Sequence, residues 1–115
     1  MKYTHEQLIS IAKITSKDME LIRQCRWQHN KLGFGYQLCF VRLLNRFPSQ
    51  YVFEVLEDLL NYMSTQLNIP YEAIQIYTQR RQTIDEHQQR ISEYLGLSRF
   101  SNNIINSLIA VQNNW

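Results

Sequence analysis

The chain has 115 residues, of which 44% are hydrophobic and 19% charged, with a formal net charge of +2. That composition suits one globular domain, residues 1–115, with a modest core, and it excludes a disordered chain. Only three glycines and two prolines are present, a scarcity of turn residues that points to an all-α fold.

The net charge hides a strong pattern. Residues 1–46 hold eight Lys/Arg and three Asp/Glu, residues 47–79 hold none and four, and residues 80–115 hold four and three. A basic, an acidic and a mixed segment follow one another. The start, MKYTHEQL, lacks the apolar centre of a signal peptide. No run of eighteen apolar residues marks a membrane span. Cys25 and Cys39 stand fourteen apart, which is neither a CxxC pair nor a disulfide framework. Buried free thiols in a reducing cytosol are expected.

In chain order, Thr4 with Gln7 forms a capping box for a helix over 5–14, with Leu8, Ile9 and Ala12 inward. Thr15 with Asp18 repeats the signal for a helix over 16–28. Met19, Ile22 and Cys25 share one face of it, with Arg23 and Arg26 elsewhere. Asn30 is the predicted cap of a central helix over 31–46. Leu32, Tyr36, Cys39, Phe40, Leu43, Leu44 and Phe47 recur there at spacings of three and four, the helical period. Pro48 stops it. Gly33 and Gly35 each cost about 1 kcal/mol in a helix relative to alanine. Close approach of a neighbouring helix at Gly33 explains that cost better than a phosphate loop, whose spacing is absent.

A fourth helix is predicted over 51–66, with Val52, Val55, Leu56, Leu59, Leu60, Met63 and Leu67 inward and Glu54, Glu57 and Asp58 outward. Pro70 sits near the first position of a fifth, over 71–81, whose inner face is Ala73, Ile74 and Tyr77. Thr83 with Glu86 predicts a capped helix over 84–95, with Ile84, Ile91, Tyr94 and Leu95 inward and a stop at Gly96. Ser98 or Ser101 caps a last helix to about 113, with Ile104, Ile105, Leu108 and Ile109 inward. The result is a compact bundle of six or seven helices. Two junctions have the outline of a helix-turn-helix: 52–66 with 71–81, and 84–95 with 100–113.

Catalytic patterns are missing. His5, His29 and His87 lack metal-site spacing, no serine lies in a GxSxG elbow, and Glu57-Asp58 reads as a solvated helix face. No cofactor and no enzymatic activity are expected of this chain. Nucleic-acid chemistry is better represented. Helix 71–81 turns Tyr71, Glu72, Gln75, Thr78 and Gln79 away from its apolar face. Glutamine amides can pair with an adenine edge, and Arg80 and Arg81 can hold phosphate, although Glu72 would repel one. The last helix offers Asn102, Asn103 and Asn106, with Arg99 just before it. Amide-rich faces are also common on ordinary surfaces, so a helical protein-interaction module is the competing reading. Lys31, Arg42 and Arg46 add charge to the central helix. For Arg42 and Arg46 three roles stay open: a phosphate clamp, pairing with Glu54, Glu57 and Asp58, or simple solvation.

The run DMELIRQCRWQHNKLGFGYQLCFVRLLNRFP at 18–48 resembles the N-terminal region of Tn-three family transposases, the enzymes of replicative transposons. The family pattern there is N-[RK]-L-G-F-x-x-Q-L-x-x-L-R followed by R-F-P. Asn30, Lys31, Leu32, Gly33, Phe34, Gln37, Leu38, Arg42, Arg46, Phe47 and Pro48 occupy its positions. QLNI at 66–69, YTQRRQTIDEH at 77–87 and ISEYLGLSRF at 91–100 are similar to three further family blocks in the same order. Asn68 stands where the family has a turn glycine, and asparagine tolerates the same left-handed backbone. Val41 and Leu43 flank Arg42 where Leu and Tyr are more usual, and the segment before residue 15 is shorter.

The resemblance implies an N-terminal DNA-binding portion of a bacterial transposase, cytoplasmic and nucleoid-associated, that recognises terminal inverted repeats in double-stranded DNA. Its partners would be that DNA, the rest of the transposase and a second copy in a homodimer, with no membrane. The family's metal-binding acidic triad lies far downstream, outside this sequence. The alternative within the resemblance is a module that docks on the transposase or dimerises without touching DNA.

Overall fold

The structure, a computed structural model, describes residues 4–49 and 52–97. It divides into two units, Met1–Ile84 and Asp85–Trp115.

In the first unit, local capping chemistry starts the chain as expected. The Thr4 hydroxyl accepts from the Gln7 amide at 3.1 Å, and the Gln7 side chain accepts from the Thr4 amide at 2.9 Å. Thr15 and Asp18 repeat this at 3.1 and 3.0 Å. Such caps stabilise by about 1 kcal/mol each. They open α1 (His5–Ala12) and α2 (Ser16–Arg23). Both stop short of the predicted 14 and 28. The Gln66 side chain accepts from the Ile14 amide at 2.8 Å and donates to the Ala12 carbonyl at 3.0 Å. These bonds replace the next turn of α1. Leu8, Ala12, Ile22 and Cys25 are buried as predicted; the placement expected for the Ile9 side chain lies outside what is described.

The central helix α3 (Gln28–Leu44) begins three residues earlier than predicted. Its N-cap is Trp27 rather than Asn30, with no side-chain cap bond. It ends at Asn45, in the left-handed region at φ 62°, before Arg46 and Pro48. Every residue from Leu32 to Val41 is buried, so this helix is enclosed on all sides rather than along one stripe. It packs against α1, α2, α4 and α5. Gly33 has the predicted structural role: a Cβ there would lie 2.3 Å from ring carbons of Tyr77. Cys25 and Cys39 are free thiols and buried, also as expected.

The next helix departs from the prediction. α4 is Glu57–Leu67, not 51–66. The Tyr36 hydroxyl donates to the Glu54 carbonyl at 2.9 Å and accepts from the Leu56 amide at 2.8 Å. The Glu54 carboxylate accepts from the Ser49 amide at 3.1 Å. These bonds hold the chain out of helix up to Leu56, which is extended. Val52 and Val55, predicted to point inward, are 73% and 39% exposed as a result. Leu59, Leu60 and Met63 are buried as predicted. Asn68 ends α4 at φ 58°, the left-handed turn expected of it.

The helix predicted over 71–81 is broken. Tyr71–Ala73 forms a 3-10 turn and Ile74–Tyr77 a single α turn, α5. Tyr77 seats its ring on Gly33, and its hydroxyl accepts from the Gln37 amide group at 2.8 Å. The same Gln37 nitrogen donates to the Ile84 carbonyl at 3.4 Å. Pinned at 77 and 84, the chain turns between them. α6 (Arg81–Leu95) therefore starts before Thr83, which lies inside the helix and not at its cap. The second limb of the first expected helix-turn-helix is this short pair of turns. The core joins Leu32, Tyr36, Phe40, Leu59, Met63, Ile74, Tyr77 and Ile84. The described residues contain no strand, and the fold is all-α.

In the second unit, the remainder of α6 buries Ile91, His87 and Ser92 and ends at Gly96 with φ 71°, the predicted stop. Tyr94 and Leu95 are half-buried. Burial, with a smaller effect of Arg90, lowers the His87 imidazole to about 4. The last predicted helix, its caps Ser98 and Ser101, and the second limb of the second helix-turn-helix lie outside the described residues.

Candidate nucleic-acid interface

The break between α5 and α6 gathers polar side chains. The Gln79 amide donates to the Ile76 carbonyl at 3.2 Å, the Arg80 amide to Tyr77 at 3.3 Å, and the Thr78 hydroxyl to Gln75 at 3.2 Å. Gln75, Thr78, Gln79 and Arg81 thereby line one side of a cavity of about 550 Å³. Val52, Phe53, Val55 and Glu57 line the other. The exposed valines thus owe their place to the Tyr36 bonds, and the amides owe theirs to the seat of Tyr77 on Gly33. Such a cavity offers paired amide donors and acceptors, one guanidinium, apolar methyl groups and one carboxylate.

Three of the residues singled out in the sequence, Gln75, Gln79 and Arg81, share this cavity. Arg80 is adjacent and exposed, and makes no ion pair among the described residues. Tyr71 is half exposed on the 3-10 turn and does not line the cavity. Arg99, Asn102, Asn103 and Asn106 lie outside the described residues.

The cations of the central segment are placed differently. Arg42 makes two 2.7 Å bonds to the carboxylate of Asp18, which is wholly buried. Arg46 binds Glu54 at 2.8 and 3.0 Å and lies 5.3 Å from the centre of the Phe40 ring. Of the three roles open to these arginines, pairing with an acid is the one observed. For Arg46 the partner comes from the expected acidic set; for Arg42 it comes from α2. The Arg46 bond, with that from the Ser49 amide, holds the Glu54 carboxyl at about 2. The Lys31 ammonium donates to the Cys25 carbonyl.

The sequence also marks two sulfur and phenol groups whose settings suit the core. Burial pushes the Cys39 thiol up to about 12, and it donates to the Ala12 carbonyl at 3.3 Å. Burial likewise raises the Tyr36 phenol. Among the described residues no group of three His, Cys, Asp or Glu could hold a metal. No described helix is long and apolar enough to cross a membrane.

Sequence reasoning missed Asp18 as the partner of Arg42, because its capping role already accounted for it. It missed Val52 and Val55 as cavity walls because they fit a helical stripe. Trp27, 59% exposed, carried no periodic signal at all.

These features define a small all-α domain with a polar-rimmed cavity at a break between helices. The chain belongs to the family described as a domain of unknown function, DUF4158, whose model matches residues 1–111. It is 34% identical over 95 residues to the transposase of transposon gamma-delta from Escherichia coli strain K12, covering 82% of this chain and 9% of that protein. It is 32% identical over 99 residues to the transposase of Tn3926 from Escherichia coli, covering 84% and 10%. It is 28% identical over 81 residues to the transposase of Tn1546 from Enterococcus faecium, covering 70% and 8%. These are transposases of Tn-three family transposons, and the likeness read from the blocks between 18 and 100 holds. The chain spans about a tenth of the length of these relatives. No solved structure matches it.

Proposed function

We propose that this chain is a DNA-recognition module of a transposase, residues 1–115 forming one DNA-binding domain that reads the terminal inverted repeats of a transposon. The observation that carries the reading is the convergence of Gln75, Gln79 and Arg81 on one cavity. Amides there suit the N6 and N7 edge of adenine, the valine methyls suit the thymine methyl, and Arg81 with Arg80 suits phosphate. Glu57 would keep phosphate off the opposite wall. Tyr71 is a further proposed DNA contact, and by residue type alone so are Arg99, Asn102 and Asn103. Arg42 and Arg46 support it only by holding the fold, and Lys31 by holding the Cys25 carbonyl and adding positive charge. In the bacterial cell the module would load a transposase on its ends, while other parts of that protein cut and join strands.

Fluorescence anisotropy with an inverted-repeat duplex and a scrambled duplex tests this. Tighter binding to the repeat is expected; equal affinity at moderate salt, or no binding, overturns it.

The exposed Val52 and Val55 beside exposed Glu57 and Asp58 favour one second reading, docking on the rest of the transposase or on a second copy. Light scattering that shows mass rising with concentration, without DNA binding, would select it.

A further inference from the structure

We propose that the corner between α2 and α3, carrying Arg23, Arg26 and the exposed indole of Trp27, is a second DNA surface that grips the phosphodiester backbone of a duplex without reading its sequence. It rests on the reading of the chain as a duplex-DNA binder, and it uses none of the residues of the Gln75–Arg81 cavity.

Glu20 lines a cavity together with Arg23; beyond it, the charge along this stretch of chain is positive. No acidic residue lies between Glu20 and Glu54, while Arg23, Arg26, Lys31, Arg42 and Arg46 all fall in that span. Arg42 and Arg46 are taken up by Asp18 and Glu54. Lys31 is bound to a neutral carbonyl, that of Cys25, so its charge stays uncompensated. Arg23 and Arg26 are exposed, and their side chains make no ion pair or hydrogen bond among the described residues. Each guanidinium presents a planar fork of donors that matches phosphate oxygens.

Trp27 gives the corner its second character. It is 59% exposed, while Phe34, Tyr36, Phe40 and Tyr77 are wholly buried. Its side chain makes no cap bond to α3. An indole that directly follows an arginine in the chain has a flat apolar face for a sugar and an N–H for a phosphate oxygen.

The corner is also rigid. The amides of Gln24 and Cys25 donate to Leu21 and Ile22 at 3.1 and 3.0 Å, and the Lys31 amide donates to the Trp27 carbonyl at 2.9 Å. Cys25 is buried beneath, with its carbonyl held by Lys31. The backbone between Arg23 and Trp27 is therefore fixed before any ligand arrives, which reduces the ordering cost of binding.

The test uses the full chain. Tryptophan occurs only at 27 and 115, so a Trp115→Phe variant reports on Trp27 alone. Acrylamide quenching is followed with the inverted-repeat duplex, the scrambled duplex, a single strand and polyglutamate. Both duplexes should shield Trp27. An Arg23→Ala/Arg26→Ala variant should lower the slope of log K against log salt by about 1.8 on either duplex, about 0.9 per lost phosphate contact. The Arg23→Lys/Arg26→Lys variant should restore most of the slope. Anisotropy that shows duplex binding with Trp27 still open to acrylamide, or with the slope unchanged in the alanine variant, overturns this proposal and leaves the module reading intact. Shielding by the single strand alone, or equally by polyglutamate, also overturns it. Failure to bind any DNA overturns both readings.

Discussion

Two arginine-bearing regions of this molecule behave in opposite ways. The central helix and its flank carry Arg42 and Arg46, and both are spent on carboxylates within the fold. The α5–α6 junction carries Arg80 and Arg81 beside Gln75 and Gln79, all exposed, three of them around one cavity. A cation on the wall of a core is pulled into pairing by whatever acid the core has enclosed. The cations at the break between helices are instead exposed, beside amides that line a cavity. The basic character of residues 1–46 is thus partly internal, and segment charge overstates the surface charge there.

The largest expected effect tests the inward side of this contrast. Arg42→Ala would take the guanidinium away from the fully buried Asp18 carboxylate, and removal of one member of a buried pair costs roughly 3–5 kcal/mol. Urea denaturation should show that loss. Arg42→Lys should recover only part of it, because an ammonium lacks the planar fork that sets two parallel donors on the two Asp18 oxygens. A loss below about 1 kcal/mol, the range of a surface pair, would mean that Asp18 is not sealed from water.

Gly33→Ala tests the contact that shapes the outward side. The added methyl would collide with the Tyr77 ring, which is pinned by Gln37 at its hydroxyl. Overpacking of this kind costs about 1–3 kcal/mol. Because Tyr77 positions the turn that presents Gln79 and Arg81, the proposed DNA preference should weaken along with stability. Paired urea and anisotropy measurements check this; a stability loss with DNA preference unchanged would separate the turn from the site.

What was legible in the sequence follows from how far each determinant acts. The capping boxes at Thr4 and Thr15 work over three residues, and both formed. Asn68 and Gly96 are single-residue backbone preferences, and both adopt the left-handed turn. The tight place at Gly33 was legible because nothing else explains a glycine in a buried helix. By contrast, the start of α4 is set by the hydroxyl of Tyr36, eighteen and twenty residues away from its partners. No local pattern encodes that, and the valines at 52 and 55 imitate a helical stripe. The break after Tyr77 depends on Gln37, forty residues earlier. The candidate site was therefore legible as a set of residue types and not as a shape. Its flat helix face became a cavity through the long-range hydrogen bonds of Tyr36 and Gln37.

On the proposed function, Gln75→Ala and Arg80→Ala separate two kinds of contact at the outward region. Gln75→Ala should cut discrimination between repeat and scrambled duplexes, where a good bidentate amide contact is worth about 1–3 kcal/mol. Arg80→Ala should weaken binding to both alike and lower the salt slope by about 0.9. Anisotropy over a salt series distinguishes them. If the two variants behave alike, the cavity does not divide reading from gripping.

The smallest effect concerns Arg46, the inward cation nearest to water. Its bond holds the Glu54 carboxyl near 2, below the ordinary value of 4.5. The folded chain therefore binds fewer protons there than the unfolded chain does. The pair's contribution is full above 4.5 and falls away as the pH drops toward 2. Both side chains are substantially exposed, so the contribution is held to about 1 kcal/mol or less. Arg46→Ala should remove that small acid-side fall in urea stability, with little change in the stability lost through Arg42→Ala. The two arginines are four residues apart on one chain, yet they should differ several-fold in cost, because one partner carboxylate is sealed in the core and the other is wet. Equal losses would erase the distinction between a cation spent on the core and one merely resting against it.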